Sequence, residues 1–173
     1  MKANNIRIYT RYFFIFAFLA ILSYSMKGVA MSLLFGTEVV LFSPMEGKIT
    51  YKGTPAANAK IIVHLFWKDD VGEKETFYTN ANGEFNIPIK KTKVRIPPLA
   101  EFVITQQISV LFKEEEFVIW YKSILDSDEY GGLGGYLQNV RCELTQERES
   151  QEGFNGIFGT SCKWDSVVKK GKK

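Results

Sequence analysis

The sequence predicts an all-β fold: an antiparallel Greek-key β-sandwich of about seven or eight strands behind an N-terminal hydrophobic leader. Two observations carry this. Between residues 46 and 88, four short apolar or alternating runs are joined by links rich in Gly, Pro, Asn and Asp, the pattern of strands and turns. The chain also holds 14 Phe and 8 Tyr, residues that suit a pleated, half-buried surface. Three regions are expected: a signal peptide or membrane anchor over 1–30, a sandwich domain over 41–165, and a basic disordered tail over 166–173.

In the leader, Lys2, Arg7 and Arg11 precede the uncharged aromatic run 12–25. That is a charged n-region followed by an apolar h-region, and the run is short of the roughly 20 residues a membrane span needs. Ser23-Tyr24-Ser25 and Gly28-Val29-Ala30 both suit signal-peptidase cleavage. Three outcomes stay open: a cleaved signal, an uncleaved anchor, or a cytoplasmic protein started at Met31, with 33–42 a first strand or lead-in.

Residues 48–51 alternate, with Ile49 and Tyr51 on one face, as in a half-buried strand. Gly53 and Pro55 close that strand. Residues 59–67 are apolar on both faces and read as a central strand covered on both sides. After the polar turn 68–73, residues 74–79 return as a more polar strand near an edge. Asn80-Ala81-Asn82-Gly83 is a sharp turn signal. Before Glu84-Phe85-Asn86-Ile87 it predicts a hairpin, with Phe85 and Ile87 facing in.

The basic stretch 90–95, ended by Pro97-Pro98, reads as a crossover loop. Residues 102–112 form the longest strand candidate, with Gln106 interrupting an apolar face. After the turn 113–116, residues 117–124 come back. Strict alternation puts Val118 and Trp120 on one face and Phe117, Ile119 and Tyr121 on the other. The acidic, glycine-rich stretch 126–136 reads as a mobile surface loop. Residues 138–145 form a strand with Val140, Cys142 and Leu144 inward, and 154–164 a last short strand.

Two segments resemble the carboxypeptidase regulatory-like domains, which belong to the transthyretin-like β-sandwiches. They are Gly53-Thr54-Pro55-Ala56-Ala57-Asn58-Ala59 and, after the long apolar strand, Thr79-Asn80-Ala81-Asn82-Gly83-Glu84-Phe85. The wider layout is similar to a group of small bacterial proteins. It runs from Leu41-Phe42-Ser43-Pro44 through Trp120-Tyr121 to the segment Asn139-Val140-Arg141-Cys142-Glu143-Leu144-Thr145. The resemblance implies a fold and no particular activity.

Hydrophobic residues make up 46% of the chain and charged residues 24%, an ordinary globular balance that argues against disorder. The net charge of +3 is concentrated at the ends, in the leader and in Lys169, Lys170, Lys172 and Lys173. The body has no basic stripe, so nucleic acid is not an expected partner.

Cys142 and Cys162 behind an export signal read as a disulfide. In a leaderless protein they read as two buried thiols. His64 is the only histidine, so a zinc site or a histidine-based triad would have to use it, and there is no second His and no close Cys pair to join it. It reads as a strand residue with a satisfied ring. Asp126, Asp128 and Glu129 lack the frame of a calcium loop. The glycines 131–135 lack the Lys-Ser/Thr of a phosphate cradle. No cofactor, metal or catalytic residue is expected.

Trp67, Tyr78, Trp120 and Tyr121 form a candidate binding face if they are exposed together. The expected function is a non-enzymatic binding or structural module. It would be periplasmic or anchored to the inner membrane, and it would engage another envelope protein through a sheet edge. The alternative is a carbohydrate- or small-ligand-binding sandwich that uses those aromatics.

Overall fold

The computed structural model of the protein describes residues 36–97, 100–152, 154 and 156–169. The leader expected over 1–30, both cleavage sites and Met31 lie outside those residues, as do the lysines beyond 169. The chain divides into two compact units, Met1–Thr37 with Lys93–Pro98, and Glu38–Thr92 with Leu99–Lys173. In the first, Gly36 turns left-handed against the backbone carbonyl of Val94.

The second unit is an all-β sandwich, and no α-helix occurs among the described residues. One sheet has six strands. In spatial order they are β12 (Glu149–Ser150), β13 (Phe158–Thr160), β9 (Glu115–Ile124), β8 (Ile104–Phe112), β4 (Lys60–Phe66) and β5 (Glu73–Tyr78). The other has five. β14 (Cys162–Lys163) and β11 (Val140–Glu143) precede β2 (Met45–Tyr51), whose far edge is shared end to end by β3 (Thr54–Pro55) and β6 (Glu84–Ile87). β1 (Thr37–Phe42) pairs with β7 (Lys90–Val94), and β10 (Tyr136–Gln138) with β15 (Ser166–Val168).

The core is filled from both sheets. Ile49, Phe85, Ile87, Val140 and Cys142 come from the smaller one, and Ile61, Val63, Leu65, Ile104, Ile108 and Val110 from the larger. Gln106 interrupts the apolar face of β8 as the sequence suggests. Its buried amide donates to the carbonyl of Leu41 at 2.8 Å, which satisfies an otherwise costly buried polar group.

Several local expectations are corrected. β4 is central but covered on one face only: Ile61, Val63 and Leu65 are buried, while Ile62, His64 and Phe66 stay half-exposed. The Asn-Gly turn does not make a hairpin, because β5 and β6 belong to different sheets. Asn80 Oδ1 accepts from the amides of Asn82 and Glu84 at 2.9 Å each. The carbonyl of Gly83 accepts from Ile49 N at 2.8 Å. A Cβ at Gly83 would stand 2.4 Å from the oxygen of Ile49, so that glycine is needed for close approach as well as for its φ of 76°.

The stretch expected to be a crossover loop at 90–95 contains strand β7, and Lys90 is ion-paired with Glu75 of β5. The strand expected over 138–145 is broken by Asn139, whose φ is 55°, into β10 and β11. β11 then runs parallel to β2, with Cys142 beside Ile49. Residues 166–168 of the expected disordered tail form β15 instead, with Val167 and Val168 alongside Leu137 and Tyr136. The glycine-rich stretch is not a loose loop. Gly131–Leu133 forms a 3-10 turn. Gly132 is buried so close that a Cβ would stand 2.6 Å from Ile124 Cγ2 and 3.1 Å from Lys122 Cε. Gly131, Gly132 and Gly135 serve close packing, whereas Gly134 has open space and is needed for its φ of 74°.

Candidate functional site

Strict alternation misplaces the centre of β9. Ile108 faces Trp120 and Ser109 faces Val118, so Ile119 is an extra residue, a β-bulge. Beyond the bulge the phase is reset. Trp120, Lys122 and Ile124 point into the core, and Tyr121 points out. The expected aromatic face is split: adjacent Trp120 and Tyr121 lie on opposite faces, and the bulge makes Trp120 the inner one. Trp120 is 0% exposed, its ring 4.4 Å from that of Phe158. Trp67, just past β4, is half-buried against Phe102, with the Lys68 ammonium over its ring.

Tyr78 and Tyr121 do share the outer face of the six-stranded sheet. Tyr78 pairs with Lys60 on β4. Tyr121 pairs with Gln107 of β8, which pairs with His64 on β4. Three strand spacings and four residues of β4–β5 separate them, roughly 15–20 Å, too far for one stacking platform.

That outer face is mixed in character. Ile62, Phe66, Val118 and Tyr121 are half-exposed, and Leu111 and Tyr78 are exposed, Tyr78 at 62%. The face ends at β5, which has β4 on one side and, among the described residues, no strand on the other. Lys74, Thr76 and Tyr78 project outward from it. His64 sits in this face with Nε2 2.7 Å from the carbonyl of Val71 and its ring 3.8 Å from that of Phe66. It is a satisfied strand histidine.

The opposite face of the same sheet holds a residue that the sequence reading missed. Lys122 is 1% exposed, and its Nζ has no hydrogen-bond partner among the described residues. Aromatic faces cover it: Phe158, its register partner on β13, at 4.5 Å and Phe154 at 5.2 Å. Burial pushes the ammonium down to about 8. Trp120 Nε1 is likewise buried without a partner. Both residues line a small cavity under the Gly131–Leu133 turn. The signal in the sequence was a lysine two positions from Trp120 and from Ile124, which alternation alone puts on their face.

Cys142 and Cys162 are bonded to each other, directly opposite in the β11–β14 pair. Next to Cys142, Glu143 accepts five hydrogen bonds. Three come from backbone amides, Lys52 at 2.9 Å and Gly53 and Thr145 at 3.1 Å each. Two come from the hydroxyls of Thr50 at 2.8 Å and Thr145 at 2.6 Å. Burial opposes its charge, but these bonds outweigh it and hold the carboxyl down at about 2. Asp126 accepts from the amide of Asp128 at 2.9 Å and lies against Gly131. Among the described residues no group of three or more His, Cys, Asp or Glu converges as a metal site. None of their helices is long and apolar enough to cross a membrane.

Strands, bridge and core together define a disulfide-bonded all-β sandwich domain. A domain of unknown function, DUF6795, matches residues 45–147. That is more than half of the chain, and the chain belongs to this family. The match begins at β2 and ends just past β11, so it takes in Lys122, the β9, β8, β4 and β5 part of the large sheet and the Glu143 clasp. No curated protein and no solved structure matches the chain.

Proposed function

We propose that the protein is a non-enzymatic module of the cell envelope that engages another protein by strand addition at β5. We also propose that its sandwich is of the transthyretin-like, carboxypeptidase regulatory-like kind. The observation that carries the reading is the open β5 edge, continuous with a half-apolar outer face. Backbone groups along such an edge are unspent, and a partner strand can satisfy them while side chains beside it select the partner. Lys74, Thr76 and Tyr78 supply a charge, a hydroxyl and an exposed aromatic at alternate positions. The Cys142–Cys162 bridge supports an oxidising compartment, reached by export behind the leader, cleaved or kept as an anchor.

Site-specific photo-crosslinking in the producing cell tests this. A crosslinker at Thr76 is expected to trap one discrete protein, with loss of the adduct when Tyr78→Asp is added. A crosslinker at Lys163, on β14, serves as the control and is expected to trap nothing comparable. Adducts of equal yield from both positions would sink the strand-addition reading. Intact mass without reductant tests the compartment. A mature chain two hydrogens short supports export, and free thiols on a chain begun at Met31 would overturn it.

A further inference from the structure

The geometry points to a buried binding site for a single small anion of the halide class, held between the Lys122 ammonium and the Trp120 indole N–H. The site goes beyond the proposed protein contact and stands or falls without it.

Two buried donors two residues apart on one face of β9 have no acceptor among the described residues, although buried donors are almost always satisfied. Both residues line the same cavity, together with Phe42, Met45, Ile124 and Leu137. It offers about 20 Å³ to the centre of a water-sized sphere, enough for one occupant of that size. Gly132 closes over it, backing onto Lys122 Cε.

Charge decides between water and an anion. With its pKa at about 8, the amine is roughly ten-to-one protonated at pH 7. A water would accept the hydrogen bonds and leave a full charge among apolar walls, whereas an anion cancels it. The Phe158 and Phe154 rings cover part of the ammonium and already attract it. They accept no conventional hydrogen bond from the indole. Asp128, an exposed residue, also lines the cavity and works against an anion, so the site is expected to be of modest affinity.

The experiment is thermal unfolding of the purified protein at pH 7 in potassium chloride and in potassium gluconate at equal ionic strength. Tm is expected to climb in chloride alone, by roughly 5–10 °C once chloride stands a hundredfold above its Kd. Bromide should substitute for chloride, and Asp128→Asn should shift the dependence to lower chloride. Lys122→Met should abolish the difference between the salts. Equal Tm values in the two salts, or a chloride response that survives in Lys122→Met, would overturn the site. A bromide-soaked crystal gives an answer that needs no variant. An anomalous peak between Lys122 Nζ and Trp120 Nε1 supports the anion, and a peak without anomalous signal means water and refutes it.

Discussion

Glu143 and Lys122 are both ionisable groups drawn out of water by the same sandwich, and the fold treats them in opposite ways. Around Glu143 the chain gathers five donors from the end of β2, the β2–β3 turn and the segment just past β11. The cost of burial is more than offset, and the carboxyl is held at about 2. Around Lys122 it gathers two phenyl rings and, among the described residues, no acceptor, and burial alone drives the amine to about 8. Burial does not by itself decide whether a charge stabilises a fold; the hydrogen bonds supplied to the charged form do. Glu143 therefore reads as a clasp, and Lys122 as a charge kept at a cost in stability.

The widest expected effect comes from removing the uncompensated side. Lys122→Met keeps the length and apolar stem while deleting the charge. In chloride-free buffer at pH 7 it should raise unfolding stability by about 1–3 kcal/mol, the relief of a buried unpaired ion less the lost cation–π contacts. The pH dependence has a definite sign. The folded-state pKa lies below the unfolded value of 10.5, so the penalty is fully present below pH 8. It fades as the pH rises through 8 toward 10.5. Urea titrations of both proteins across that window should converge at the alkaline end. A constant gap would mean that the gain came from packing.

Glu143 gives the mirror image with a smaller amplitude, because it is half-exposed and water can replace some of its donors. Its folded pKa lies below the unfolded 4.5, so its contribution is complete above pH 4.5 and disappears as the pH falls toward 2. Glu143→Gln, which keeps one acceptor oxygen, should cost about 1–2 kcal/mol at pH 7 and next to nothing at pH 2. Denaturant midpoints at the two pH values measure this. An equal loss at both would point to shape rather than charge.

The legible part of this molecule was its alternation. Ile49 in β2, Phe85 and Ile87 in β6, and Val140, Cys142 and Leu144 along β11 all face the core as period two requires, and the cysteine pair was bonded where two opposed strands put it. What alternation could not carry was a residue that breaks the count. Ile119 is such a residue, and it moved Trp120 out of the candidate binding face. Turn chemistry was legible as a turn but not as a destination. Asn80 and Gly83 fold the chain sharply, yet only the docking of Gly83 on Ile49 decides that β6 joins the other sheet. Glycine was misread in the same way. At Gly132 its missing side chain serves contact with Ile124 and Lys122, and nothing local distinguishes that from flexibility. Lys122 itself was visible, since it is in phase with Trp120 and Ile124, but propensity places lysine in water.

The smallest effect separates electrostatics from backbone, and Glu114 supplies it. This carboxylate is exposed at the tip of the β8–β9 hairpin, so charge compensation of either kind is absent from the argument. Its backbone is the unfavourable part. Lys113 and Glu114 have φ of 52° and 66°, and Phe112 is paired with Glu115, the geometry of a two-residue turn that prefers Asn-Gly. Glu114→Gly should stabilise by about 0.5–1 kcal/mol, the relief of a left-handed side chain less the extra unfolded-state freedom of glycine. Urea midpoints of the two proteins at pH 7 measure it, and a loss of stability in Glu114→Gly would mean that the side chain at the hairpin tip holds a contact worth more than the backbone relief.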